Sequence, residues 1–315
     1  MTRISATVTG FEPFDLSSQL DFAAWREWKL EHFPTSVQEL LVPLQDPVQL
    51  TTQEHAAVLG RVRKANMAIY AVSNGRPVDK PAIRALGRQF GLERLDMNLR
   101  ADEDSITSIR VVPESAPTHY IPYTNRPLNW HTDGYYNSLD EQVHAIVMHC
   151  VSSSASGGDN LFLDHEIAYI LLRDENPDYI RALMQPDAMT IPANVEQGVE
   201  IRGAQSGPVF SLEKASHGLH MRYTARTRSI VWKDDPMVHK AIDFLGELLD
   251  SDNRWVFRHR LQAGQGIICN NVLHKREAFA DDADDTRLLY RARYHDRIHD
   301  TVAGQDCYGE RLCSG

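Results

Sequence analysis

His131-Thr132-Asp133 is the single His-x-Asp in a chain of 315 residues with 14 histidines, and no His-x-Glu accompanies it. In an extended strand, positions i and i+2 share a face, so both side chains can reach one ion. A third imidazole must come from elsewhere, and His274 in Asn271-Val272-Leu273-His274 is the candidate. A chain built this way has to carry two strands, far apart in sequence, to one point. Two imidazoles and one carboxylate on one side of an octahedral ion leave the other side open, which suits oxygen-activating, non-haem Fe(II). Arg287, thirteen positions after His274, can supply a fixed cation beside such an ion. The competing reading makes His131 a loop cap and Asp133 the acid of an Asp-Gly turn with Gly134.

Periodicity says where these residues sit. Residues 1–117 read as a mainly helical buttress with one short strand, belonging to the same domain as the strand-rich remainder. Ser18 to Phe33 and Thr52 to Ala65 have apolar residues at helical spacing, and Ala82 to Phe90 reads as a further short helix. Met67 to Val72, closed by Asn74-Gly75, reads as a strand and turn. From 118 to 300 the pattern turns strand-rich, with strands expected at 118–124, 128–132, 143–151, 160–163, 219–223, 228–232, 254–261, 266–270 and 287–295. Helical insertions are expected at about 165–185 and 236–250, and 301–315 reads as a C-terminal tail. Many short strands holding metal ligands at two distant points suggest a jelly-roll core. Strand order is not readable.

The segments around the candidate ligands carry a resemblance. Asn129-Trp130-His131-Thr132-Asp133-Gly134-Tyr135-Tyr136, then Gly157-Gly158-Asp159-Asn160-Leu161-Phe162, then His274 followed by Arg287 and Arg291, resemble the Fe(II)/2-oxoglutarate-dependent dioxygenases of the taurine dioxygenase and 2,4-dichlorophenoxyacetate dioxygenase family. Pro122 to Tyr136 is also similar to the γ-butyrobetaine hydroxylase branch. The resemblance implies a double-stranded β-helix core with N-terminal helices and helical insertions. It implies His131, Asp133 and His274 as iron ligands, with 2-oxoglutarate and dioxygen as cosubstrates. It also implies Arg287 as the grip on the far carboxylate of 2-oxoglutarate and Arg291 as a residue facing substrate or cosubstrate. Asn160 stands where the family often has threonine at the cosubstrate, and an amide can also donate to a carboxylate.

The residues agree with that chemistry. Neutral imidazoles and an ionised carboxylate form a mixed nitrogen–oxygen set suited to Fe(II). A guanidinium stays charged and meets a carboxylate through two parallel hydrogen bonds. Alternation puts Arg287, Arg291 and Arg293 on one strand face, which is hard to bury without anions. Related halogenases have a small residue at the carboxylate position, so Asp133 points to hydroxylation. Tyr123, Asn125, Trp130, Tyr135 and Tyr136 are candidates for a substrate pocket or for core packing. Arg222 and Arg226 are expected to be exposed, although they could offer charge to a substrate. His217 with His220, and His295 with His299, lack a supporting acid or cysteine set and are not read as a second metal site.

Composition narrows the partners. A net charge of -10 argues against general binding to nucleic acid or anionic membranes, leaving a small molecule as the expected substrate. No apolar run is long enough to span a bilayer, and no signal-peptide stretch opens the chain. Four cysteines do not make a disulfide framework. Cys150 and Cys269 read as buried thiols, the state of Cys307 and Cys313 is open, and a reducing cytoplasm is expected. A homo-oligomer is open. The rival functions are a zinc-dependent hydrolase of barrel fold and a non-catalytic metal-binding protein.

Overall fold

The computed structural model describes residues 11–73, 75–97, 102, 104–112, 121–213, 216–226 and 230–299. Two sheets frame the site. The larger has six strands in the order Leu41–Leu44, Met67–Val72, Gln265–Cys269, Ala145–Ser152, Leu288–Tyr294 and Thr107–Ile109. The first pair is parallel, and the other neighbours are antiparallel. The smaller sheet is antiparallel throughout, in the order Val256–His259, Asn160–Leu163, Leu273–Arg276 and Leu128–His131.

Alternation in the larger sheet divides its residues between two cores. Ile146, Met148, Ile267 and Leu289 join Trp130, Phe162 and Leu273 of the smaller sheet in one buried cluster. Val147, Ile268 and Ala292 point the other way, onto Val58 and Val62 of helix Thr52–Ala65 and onto Ile83 and Leu86 of helix Lys80–Arg88. With both faces covered, these strands read as nearly unbroken apolar runs. Leu41–Leu44 contains Pro43 and lies at the sheet edge, where a missing N–H disturbs the ladder least.

The helices start where capping chemistry starts them. Thr51 and Glu54 form a reciprocal capping box before Thr52–Ala65. Asp79 accepts from the Ala82 N–H, so the third helix runs Lys80–Arg88, beginning earlier than Ala82. The first insertion is two helices, His165–Glu175 and Pro177–Leu183, because Pro177 cannot continue the ladder of the first. The second is one helix, Pro236–Asp250, capped by Asp235.

Of the expected strand at 118–124, residues 118–120 lie outside the described residues and 121–124 form no strand, Ile121–Tyr123 being a single 3-10 turn. The Arg276 guanidinium takes the carbonyls of Pro122, Thr124 and Arg126 at 3.3, 2.8 and 2.5 Å, occupying acceptors that a ladder would need. Of 228–232, Val231–Trp232 is a strand and 227–229 lie outside the described residues, as do Cys307, Cys313 and the tail. Strands Leu41–Leu44, Thr107–Ile109 and Leu273–Arg276, and the short ribbons between Met189 and Leu212, are additions. No described helix is long and apolar enough to cross a membrane.

Candidate metal centre

His131 and His274 are directly paired residues on neighbouring antiparallel strands, with their rings 4.2 Å apart. The long sequence separation thus closes to one rung of the smaller sheet. Asp133 departs from the strand expectation. The strand ends at His131, and Asp133 lies in the turn beyond it. Asn271 brings it back: its Oδ1 accepts from the Asp133 N–H at 2.8 Å, and its Nδ2 donates to the Asp133 carbonyl at 2.9 Å. The same Nδ2 donates to the Val143 carbonyl at 2.6 Å. Gly134 takes φ +68°, and a Cβ there would meet Val143 Cγ2 at 2.5 Å, so the turn needs glycine.

One nitrogen or oxygen from each of His131, Asp133 and His274 lies within 4.8 Å of the others; among the described residues they are the one such triad of His, Cys, Asp or Glu. Both imidazoles are held the same way. His131 Nδ1 donates to the Asn129 carbonyl at 2.8 Å and His274 Nδ1 to the Val272 carbonyl at 2.9 Å, so each Nε2 keeps its lone pair for an ion. Burial, with the neighbouring His274, pushes His131 down to about 3; burial also lowers His274. Both are neutral at neutral pH. Burial opposes the charged form of Asp133, but Arg291 and Arg293 outweigh it and hold the carboxyl below the ordinary carboxylate range. Its Oδ2 is buried without a hydrogen bond, although Arg291 Nη1 lies 3.0 Å away. Two free imidazole lone pairs and an ionised, incompletely satisfied carboxylate fit a divalent iron.

The triad stands at the junction of two cavities. Asp133 and Arg291 line both, while His274 faces the inner one and His131 the outer. The inner cavity runs between the sheets and is lined by Asn160, Arg276 and Arg287 beside apolar residues. Arg287 is 6% exposed, and among the described residues no carboxylate pairs with its guanidinium, which lies 5.0 Å from the Phe279 ring centre. Burial lowers Arg287 to about 10, so it remains a cation. A buried cation without an anion is costly, and a ligand carboxylate would remove that cost. Asn160 lines the same cavity, its own nearest partner being the Gly158 carbonyl at 3.5 Å.

The outer cavity has a volume of about 790 Å³ and takes in Tyr123, Tyr135 and Tyr136. That volume accommodates an ordinary small-molecule ligand. Asn125 is not there. It is exposed, and its carbonyl accepts from the Phe279 N–H, so its contribution is to the backbone. Trp130 is core, donating its indole N–H to the Leu249 carbonyl at 3.1 Å. Arg222 is 2% exposed instead of lying on the surface, with its guanidinium spent on the carbonyls of Tyr135, Met189 and Gln205. Arg226 does line the outer cavity. Arg293 is neutralised by Asp96 and donates to Tyr136 Oη at 2.9 Å.

Sequence reading missed Arg276 and Asn271. Arg276 lies two residues after His274 on one strand, and the i, i+2 rule that links His131 to Asp133 would have found it. Asn271 gave no comparable signal, because its role depends on a left-handed backbone at φ 48° that spacing does not reveal.

Comparison with known proteins agrees with this geometry. The profile of the family described as "Taurine catabolism dioxygenase TauD, TfdA family" matches residues 34–293. A uridine-5'-phosphate dioxygenase of Amycolatopsis is 30% identical over 52% of this chain and 60% of its own length. The chain's match thus spans less than two thirds of that relative. A second, from Streptomyces, is 29% identical over 67% of this chain and 77% of its own. The crystal structure of the PvcB protein from Pseudomonas aeruginosa shares the fold, with a TM-score of 0.56 at 17% identity over 81% of this chain and 85% of that one. The chain belongs to the TauD/TfdA family of Fe(II)- and 2-oxoglutarate-dependent dioxygenases.

Proposed function

We propose that this protein is a hydroxylating dioxygenase that oxidises an anionic small molecule, a nucleoside 5'-monophosphate such as uridine 5'-phosphate, as it converts 2-oxoglutarate to succinate and CO₂. The observation that carries the reading is the triad between two cavities, one lined by a buried arginine with no ion pair among the described residues and the other of about 790 Å³. The nucleotide comes from the activity for which the two relatives, about 30% identical to this chain, are named. The two facing sheets are read as the double-stranded β-helix core usual for this chemistry.

His131, Asp133 and His274 would hold the iron, which supplies the site where 2-oxoglutarate and dioxygen react. Arg287 grips the far carboxylate of 2-oxoglutarate through its fork of N–H donors, and Asn160 offers a further donor in the same cavity. Arg291 holds the Asp133 carboxylate in place and touches both chambers, so it can also contact the substrate. Tyr123 and Tyr135 line the outer cavity and would meet the substrate; Asn125 is outside it. Asp133 supplies the carboxylate that halogenases give up to make room for halide, which favours hydroxylation. A zinc hydrolase would leave the buried Arg287 without an explanation.

The test is succinate formation by the Fe(II)-loaded protein under air. Uridine 5'-phosphate should stimulate 2-oxoglutarate consumption well above the substrate-free rate and be converted to a product carrying one oxygen atom from dioxygen. Equal rates with and without every nucleoside monophosphate would remove the substrate assignment while leaving the dioxygenase assignment standing.

A further inference from the structure

We infer that Arg202 and Arg226 form the phosphate subsite of the outer cavity, an inference that rests on the nucleotide reading of the proposed function. Four arginines line that cavity. Arg291 is neutralised by Asp133 and Arg293 by Asp96. Arg202 and Arg226 form no ion pair among the described residues, although both are half-buried beside a cavity wall. Glu141 is exposed and also on that lining, so with Asp96 and Asp133 three carboxylates face the four arginines. The surplus of charge inside the chamber is therefore positive, in a chain whose net charge is -10. A local cation surplus against the overall sign points to an anionic ligand.

The two arginines come from separate elements. Arg202 ends the Val199–Arg202 strand of a hairpin, and its guanidinium is fixed by hydrogen bonds of 2.9 Å to the Gly203 and Pro192 carbonyls. Those two bonds leave three of the five guanidinium N–H groups for a ligand. Its carbon lies 5.9 Å from the Tyr136 ring, which Arg293 approaches at 5.8 Å from its own position. Arg226 is two residues past Thr224, which bridges to His131, and Thr224 and Arg226 line the same cavity. The Tyr135 ring packs edge-on to Tyr136 at 5.2 Å, and both rings line the same cavity as Arg226. Arg226, Tyr135, Tyr136 and Arg202 all line the one cavity, with Arg202 beside the Tyr136 ring. Planar forks of N–H groups suit the oxygens of a phosphate monoester.

The experiment compares the binding of uridine 5'-phosphate, uridine and inorganic phosphate to the protein loaded with Fe(II) and 2-oxoglutarate without oxygen. Unaltered protein should bind the nucleotide far more tightly than the nucleoside. In Arg202→Ala and Arg226→Ala, nucleotide affinity should fall about 10- to 100-fold each, as expected for a charge-assisted contact, while uridine affinity changes little. Arg226→Lys should recover part of the loss. The nucleotide-to-nucleoside ratio makes a folding defect visible, because misfolding lowers both affinities. If the ratio is unchanged in both variants while the nucleotide is still a substrate, the subsite is wrong and the proposed function stands. If the protein ignores the nucleotide but binds inorganic phosphate through these arginines, the nucleotide reading fails and the anion subsite stands.

Discussion

Replacing Arg287 with alanine should raise the apparent constant for 2-oxoglutarate by roughly 30- to several-thousand-fold. Removing one partner of a desolvated, bidentate charge pair costs about 2–5 kcal/mol. Arg287 meets the conditions for the upper part of that range, being 6% exposed and without a carboxylate partner among the described residues. The ligand-free protein should not suffer, because the change removes a buried charge that forms no ion pair among the described residues. Thermal stability without 2-oxoglutarate should therefore hold or rise, while the stabilisation gained on adding 2-oxoglutarate should shrink with the lost affinity. A misfolded variant would lose stability in both conditions. Arg291→Ala should behave differently, because Arg291 is tied to Asp133 and reaches the outer chamber. If Arg291→Ala weakens 2-oxoglutarate and Arg287→Ala does not, the two arginines have the opposite roles.

Asp133→Ala should lower substrate oxidation by more than about 100-fold and weaken Fe(II) binding in parallel. Losing a residue that merely orients a ligand costs 10- to 100-fold, and a ligand itself should cost more. The fold should survive. Asn271 holds residue 133 through its main-chain N–H and carbonyl, which alanine keeps, and both histidines stay anchored by their backbone carbonyls. Full turnover in this variant would remove Asp133 from the ligand set. Iron titration of the metal-free protein provides a readout independent of turnover.

The candidate triad was legible from residue type and spacing read together with the segments around it, a His-x-Asp and one distant histidine. What brings them together was not. Register placed His274 opposite His131, and register follows from how whole strands pack. Leu289, Arg291 and Arg293 share the site face as alternation requires, the irregular step lying before them between Leu288 and Leu289, and Arg287, just ahead of the strand, lines the same inner cavity as Leu289 and Arg291. Arg222 was misjudged for a physical reason. A sequence shows the cost of burying a guanidinium but not the three carbonyls that offset it. Asn125 was misjudged because closeness to His131 along the chain is not closeness to the cavity: the residue is exposed, and its carbonyl accepts from the Phe279 N–H. The ribbons from Met189 to Leu212 are only three or four residues per strand, and Val199–Arg202 is largely exposed, so they carry little apolar alternation. That region nevertheless supplies Arg202.

The central claim is that one ion and one 2-oxo acid meet at His131, Asp133 and His274 with Arg287 behind them. Anaerobic titration of 2-oxoglutarate into the Fe(II)-loaded protein tests it most directly. A weak visible charge-transfer band should grow and saturate, should be absent when zinc replaces iron, and should need far more 2-oxoglutarate in Arg287→Ala. No band at saturating iron and 2-oxoglutarate would contradict the account.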